Sequence, residues 1–337
     1  MKLIIDAMSG DNAPEALVSG CVMAAKEFGQ EYVLVGKEDI IRDLLKKEKA
    51  DGLPITVRNA TEVVDMHDDP ARVLRRKKDS SMAVAFRMLA DGEGDALVSA
   101  GNTGAQLSGA TLIVKRIRGI RRAALPTLLP TKTGKVLLID SGANVECTPE
   151  YLLQFAFMGS FYMQKVVGVE KPRVGLINNG TEDSKGDPLR KETYALLKKA
   201  GDEGRIHFVG NVEGNDIMLG ACDVAVTDGF TGNVVLKTIE GAAKFLGSGI
   251  KKVFLTNVRT KLGYLFVKPQ LKGFMALMDS NEIGGAPFLG VSKPVFKAHG
   301  SSNARAIRSA IMQAIRYVEG DVVKTIEENI DQMTISY

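Results

Sequence analysis

The chain has no tryptophan, three histidines and three cysteines among 337 residues. Cys21, Cys147 and Cys222 lie far apart without C-x-x-C spacing, so neither a disulfide framework nor a zinc site is expected. No apolar stretch approaches the roughly eighteen residues of a membrane-crossing helix. Strand-like Leu3-Ile4-Ile5 directly follows Lys2, which reads as the start of a fold and not as a secretory leader. A dominant charge sign is missing too: 44 basic against 40 acidic residues leave +4, and aromatics make up 6% without gathering beside the cations. Nucleic acid is therefore not an expected partner.

What remains, 45% hydrophobic and 25% charged, is the composition of an ordered globular protein. Its length exceeds one usual core, so we expect one large or two intimately joined α/β lobes. Short apolar runs recur at Lys2–Ile5, Tyr32–Val35, Ile55–Val57, Ala96–Val98, Val136–Ile139, Val174–Ile177, Ile206–Val209 and Val224–Val226, separated by helical patterns. Such runs predict a buried, mostly parallel sheet with right-handed crossovers. Asp6, Ser99, Asp140, Asn178 and Asp228 follow five of them, and ligands of open α/β sheets bind beyond strand carboxyl ends.

Ser99-Ala-Gly101-Asn102-Thr103-Gly104 joins a strand to a helical pattern. Glycines beside unpaired helix N–H groups can cradle a phosphate, although the spacing is neither G-x-G-x-x-G nor a P-loop; equally, the glycines can make a turn that Thr103 caps. Asp11 or Asn12 can cap a helix opened by Pro14, or serve a site. Arg75-Arg76-Lys77-Lys78 is a solvated face or a dock for an acidic partner, ahead of the Asp79-Ser80-Ser81 cap candidates. Asp140-Ser-Gly142-Ala-Asn144 repeats the strand-then-glycine design, and Thr148-Pro149-Glu150 opens a helix, Tyr151 to Val169, apolar nearly all round and suited to burial, perhaps between subunits. Lys185, before Gly186, can present an ammonium to developing negative charge. Asn233 either caps the helix that follows Asp228 or points its amide into the cleft. His299 opens a Gly-Ser helix entry, whereas His67 and His207 lack such a setting. Residues 241–278 hold seven cations and no carboxylate, with Leu246, Ile250, Phe254, Val258, Leu262 and Phe266 every fourth position. This basic amphipathic insertion suits anionic lipid or a partner subunit.

Together these motifs, with Arg75–Met82, Gly180-Thr-Glu182, Asp228-Gly-Phe-Thr-Gly-Asn233 and His299-Gly-Ser-Ser302, closely resemble the bacterial phosphate acyltransferases of phospholipid synthesis over nearly the whole chain. Ser9, Asn12 and Asn179 depart from that family's usual glycine, histidine and apolar residue. The resemblance implies a three-layer α/β/α fold similar to isocitrate and isopropylmalate dehydrogenases and phosphotransacetylase, a homodimer, a projecting helical pair, and peripheral attachment to the cytoplasmic membrane near the glycerol-phosphate acyltransferase that consumes acyl phosphate. It implies no cofactor or metal.

The implied reaction transfers a long-chain acyl group from acyl carrier protein to inorganic phosphate. Phosphate is already nucleophilic and a thiolate leaves readily, so positioning and oxyanion stabilisation carry the work. On that basis Ser99, Gly101, Asn102, Thr103, Gly104 and Asn144 are assigned to phosphate, with Asp6, Asp140 and Asp228 at the same substrate rim. Lys185 and Asn233 are assigned to the thioester carbonyl, and His299 to phosphate or the leaving sulfur. Arg75 to Lys78 are assigned to the acidic carrier, together with the Lys-rich insertion. A coenzyme A phosphotransacylase and a non-catalytic membrane scaffold are the rivals; an NAD-dependent decarboxylating dehydrogenase would need a cluster of metal-binding aspartates that the sequence does not show.

Overall fold

A computed structural model of the chain describes residues 1–65, 67–70, 72–277 and 284–334. Its strands are β1 (Lys2–Asp6), β2 (Glu31–Gly36), β3 (Ile55–Asn59), β4 (Ala96–Ser99), β5 (Thr127–Thr131), β6 (Gly134–Ile139), β7 (Val174–Ile177), β8 (Phe208–Val212), β9 (Val224–Val226), β10 (Gly285–Pro287) and β11 (Val295–Ala298). The helices are α1 (Glu15–Phe28), α2 (Glu38–Lys47), α3 (Val73–Arg76), α4 (Ser81–Asp91), α5 (Thr103–Gly109), α6 (Pro149–Tyr162), α7 (Pro188–Asp202), α8 (Gly214–Leu219), α9 (Gly229–Phe254), α10 (Val258–Leu277), α11 (Ala304–Glu319) and α12 (Val322–Glu328).

The strands form two sheets, ordered β10-β11-β4-β1-β2-β3 and β5-β6-β9-β7-β8. Pairing is parallel except at the two edges, where β10 runs against β11 and β5 against β6. The mostly parallel α/β expectation holds, divided over two sheets. Three strands escape the apolar-run criterion: β5 carries Pro130 and threonines at both ends, β10 is three residues, and β11 has Lys297 in its middle. β8 lies two residues later than expected, because Ile206 packs as a core residue ahead of the strand.

Helices cover both faces. On one face of the larger sheet α1 and α11 pack through Leu17, Cys21, Ile307 and Ile311, in a cluster that also takes in Leu137 and Ile139 of the smaller sheet. The opposite face is closed by α4, with Met82 and Phe86 against Ile4, Leu97 and Val295. Helix α6 buries residues on every side, including Leu152, Phe155, Phe157 and Tyr162. The all-round apolar pattern is thus spent inside this chain, and the reading of α6 as a subunit contact is corrected. The far face of the smaller sheet packs Val136, Leu138 and Ile177 under Val235, Leu236 and Ile239 of α9. That contact roots α9; the helix then runs outward, turns at 255–257, where Asn257 Oδ1 accepts from Thr260 N–H at 3.0 Å, and continues as α10. The four-residue stripe is therefore divided between two helices. Residues 278–283, including the end of the 241–278 insertion, lie outside the described residues. Among the described residues no helix is long and apolar enough to cross a membrane.

Candidate functional site

At the carboxyl edge of the larger sheet, β1 ends on Asp6 and β4 on Ser99, both fully buried. Ser99 Oγ donates to Asp6 Oδ2 at 2.7 Å and accepts from Gly101 N–H at 3.2 Å. Burial pushes the Asp6 carboxyl above its ordinary range, although hydroxyls of Ser81, Ser99 and Ser9 draw it down. Asp6 Oδ1, Ser9 Oγ and Ser81 Oγ are buried without a well-formed hydrogen bond, a concentration of under-paired polar atoms typical of a working site.

The 99–104 loop owes its glycines to close packing. A Cβ at Gly101 would stand 2.4 Å from Met82 Cε, and one at Gly104 2.8 Å from Pro70 Cβ. The cap of α5 is Asn102, whose Oδ1 accepts from Ala105 N–H at 3.0 Å, and not Thr103. Gln106 Nε2 holds the Gly101 carbonyl at 2.8 Å from inside. The Asp6 and His299 loops are tied together: Asp11 N–H donates to the Gly300 carbonyl at 2.8 Å, and Asn12 Nδ2 donates to the carbonyls of Ser301 and Ser302. Neither Asp11 nor Asn12 caps α1, whose N-cap Pro14 carries no side-chain cap bond.

The smaller sheet presents Asp140, Asn178 and Asp228 at the ends of β6, β7 and β9. Asp140 is saturated: Oδ1 accepts from the N–H groups of Leu125, Gly142 and Ala143, and Oδ2 from the N–H and Nδ2 of Asn144 at 2.7 and 2.8 Å. Asn144 also donates from Nδ2 to the Ala123 carbonyl, and its own carbonyl accepts from Gly229 N–H. Helix α9 starts hard against this loop, since a Cβ at Gly232 would fall 1.9 Å from the Asp140 carbonyl oxygen. The cap reading for Asn233 is corrected: Asp228 caps α9, accepting from Thr231 N–H at 2.8 Å. Asn233 is left exposed just past the first turn of α9, its side chain beside Gly142.

One cleft-lining side chain that the sequence pattern does not single out is Arg190, 15% exposed. It pairs with Asp228, bonds Thr231 Oγ1 at 2.9 Å and Asp187 Oδ2 at 2.8 Å. Burial pulls the Asp228 carboxyl up, but Thr231 and Arg190 outweigh it and hold it below the usual carboxylate value. A signal was present: a cation in the first turn of α7 opposes the helix dipole, so a tertiary partner should have been sought. Arg190, Asp228, Glu146 and Cys147 line an open cleft. Burial, followed by the nearby Asp140 charge, pushes the Cys147 thiol up to about 12, which leaves it protonated and unsuited as a nucleophile.

Ala143 of the smaller-sheet loop packs on the same apolar cluster as Leu107 and Ile113, and the charge of Lys237 on α9 reaches His299 just past β11. His299 Nδ1 accepts from Ser301 N–H at 3.2 Å, so a neutral ring carries its proton on Nε2. Desolvation and the charges of Lys297 and Lys237 push its pKa below the ordinary value. Lys185 stands farther out, 46% exposed, 3.9 Å from Glu182. Among the described residues no hydrogen bond or ion pair joins Lys185 to Asn233 or to the 99–104 loop. In the basic run Arg75, Arg76 and Lys78 are exposed, whereas Lys77 Nζ is held by Asp68 Oδ2 at 2.6 Å and the Val63 carbonyl at 3.0 Å. Leu246, Val258, Leu262 and Phe266 are exposed; Ile250 and Phe254 are half-buried, and Phe254 packs on Tyr264. A separate cavity, lined by Phe157, Lys171, Tyr194, Arg205 and His207, opens at the amino ends of β7 and β8, away from every polar strand exit.

Comparison with solved structures places this architecture. A phosphotransacetylase from Streptococcus pyogenes superposes with a TM-score of 0.63 over 95% of this chain and 94% of its own, at 18% identity. The EutD phosphotransacetylase from Staphylococcus aureus gives 0.61 over 95% and 94%, at 14% identity. These likenesses define the class, the α/β fold of the phosphotransacetylases. At finer grain, the model of a family described as "Fatty acid synthesis protein" matches residues 1–325. The phosphate acyltransferase of Acetivibrio thermocellus is 45% identical over 336 residues, covering 99% of this chain and 98% of the relative. That of Lysinibacillus sphaericus is 47% identical over 337 residues, covering 99% and 100%. The chain belongs to the phosphate acyltransferase family, enzymes of the transferase class.

Proposed function

We propose that this enzyme transfers a long-chain fatty acyl group from acyl carrier protein to inorganic phosphate, giving acyl phosphate for phosphatidic acid synthesis. The observation that supports the reading is that Leu107, just past the Ser99–Gly104 loop, and Ala143, of the Gly142–Asn144 loop, pack on one apolar cluster, which draws polar loops of the two sheets toward each other. Phosphate sits on the larger-sheet side and attacks the thioester carbon; the C–S bond breaks, and the carrier leaves as a thiolate that takes the proton released by the hydrogen phosphate. Lys185 and Asn233 stabilise the tetrahedral oxyanion, and the neutral His299 donates Nε2–H to phosphate oxygen. No thiolate nucleophile is required, in keeping with the raised Cys147 pKa.

In this reading both sheets form one catalytic unit, with 241–278 as an insertion that projects from a homodimer. Arg75, Arg76 and Lys78 receive the acidic carrier. The exposed apolar residues of α9 and α10, flanked by lysines, rest on anionic lipid at the cytoplasmic surface and deliver acyl phosphate to the membrane acyltransferase that consumes it. The deciding experiment mixes pure protein, palmitoyl-carrier and phosphate and traps product with hydroxylamine. Hydroxamate that needs phosphate supports the reading; none with the carrier but product with palmitoyl-coenzyme A assigns the enzyme to coenzyme A, and none with either leaves a scaffold.

A further inference from the structure

Lys297 has no place in the assignments above. In the β11–β4 register Val295 pairs with Leu97 and Lys297 with Ser99. Paired residues of parallel strands point to the same side. Val295 and Leu97 indeed share one apolar cluster, so Lys297 continues that face one step further, beside Ser99 and hence beside the Ser99–Asp6 bond. Its ammonium is half-buried and, among the described residues, makes no ion pair or hydrogen bond. A partly buried cation without a partner is costly. The charges that reach it come from α9: Lys237, and Glu240, which is already paired with Lys237 at 2.8 Å. His299, two residues along, senses the same Lys237 and Glu240 together with Asp11.

We propose that Lys297, with Lys237 of α9 and the Nε2–H of His299, forms a subsite for a phosphoryl group, Lys297 being its central cation. This rests on the acyl-transfer reading only for which phosphoryl group arrives, inorganic phosphate or the phosphodiester of the donor's pantetheine arm. Such a subsite would draw on both sheets, since the strand beside the Ser99 loop supplies one cation and the helix that carries Asn233 supplies another whose charge reaches it. Burial pushes the pKa of the Lys297 ammonium down from its usual range, and Lys237 pushes it further, so a bound phosphoryl anion would offset the cost of keeping this cation charged.

The test is thermal denaturation of the full chain with inorganic phosphate or with 4′-phosphopantetheine, at constant ionic strength, alongside apparent KM values for phosphate and acyl donor. Wild-type Tm is expected to rise with one of the two ligands. Lys297→Met should melt no lower than wild type without ligand, lose that rise, and raise the matching KM about ten-fold or more while the other stays within about two-fold. Lys297→Arg and the exposed Lys237→Met should each retain part of the rise. A phosphate-specific loss identifies the inorganic ion, and a pantetheine-specific loss the donor arm. Folded Lys297→Met that keeps the wild-type rise and both KM values overturns the subsite, as does a wild type indifferent to both ligands. A wild type that forms no acyl phosphate, yet loses its phosphate-induced Tm rise in Lys297→Met, retains the subsite and sinks the reaction.

Discussion

The two sheets handle buried carboxylates at their strand ends in opposite ways. Asp140, on the smaller sheet, accepts bonds on both oxygens from its own loop, and Asp228 is satisfied by Thr231 and Arg190. Asp6, on the larger sheet, is equally buried but holds one well-formed bond, from Ser99, within a nest of under-paired hydroxyls. A saturated carboxylate fixes backbone and has little left for a ligand. An under-paired rim retains hydrogen-bonding capacity. In the proposed reaction, architecture thus falls chiefly to the smaller sheet and anion recognition to the larger, with α9 linking them.

The sharpest way to break this contrast is Asp140→Ala, which strands the N–H groups of Leu125, Gly142, Ala143 and Asn144 together. Loss of stability of about 3–5 kcal/mol is expected, read by denaturant midpoint. A variant within about 1 kcal/mol of wild type would show that the loop does not depend on this carboxylate. Lys185→Ala and Asn233→Ala come next: both side chains are exposed, so stability should hold while turnover falls about 10² to 10³-fold. Near-wild-type rates from folded variants would remove these two from the oxyanion.

Arg190→Met sharpens the comparison by moving Asp228 toward the condition of Asp6. Asp228 loses its guanidinium partner but keeps Thr231, so a cost of about 2 kcal/mol is expected at neutral pH. Because the folded pKa of Asp228 lies below its unfolded value near 3.9, the stability from this pair is present above about pH 4 and is lost as pH falls through the lower folded pKa. The gap between wild type and variant should therefore close on acidification. A gap that persists at low pH would point to lost packing and not to the ion pair.

Much of this was legible beforehand, because strand exits in a parallel sheet are marked locally. Apolar runs that end in Asp6, Ser99, Asp140, Asn178 and Asp228 require no tertiary information. Capping was read less well: Asn102 and Asp228 displace Thr103 and Asn233, since competition among adjacent cap-capable residues is decided by which backbone the following helix must meet, as Gly232 meets Asp140. The division into two sheets, the Arg190–Asp228 pair across 38 positions and the Asn12 strap to Ser301 depend on contacts distant in sequence and leave little local trace.

The smallest expected effect separates two roles for His299. Its folded pKa lies below its unfolded value, so the unfolded chain binds the extra proton near and below about pH 6.5. The stability that His299 contributes is full above that pH and is lost as pH falls through the lower folded value; Tm of wild type relative to His299→Gln should decline accordingly. Turnover discriminates further. If Nε2–H of the neutral ring donates to phosphate, the wild-type to His299→Gln rate ratio stays level from about pH 6.5 upward, because the donor is present throughout. If an imidazolium protonates the leaving sulfur, the ratio drops about ten-fold per pH unit over the same range as that form disappears. A level ratio keeps His299 with the larger-sheet donors, and a falling one transfers it to the leaving group.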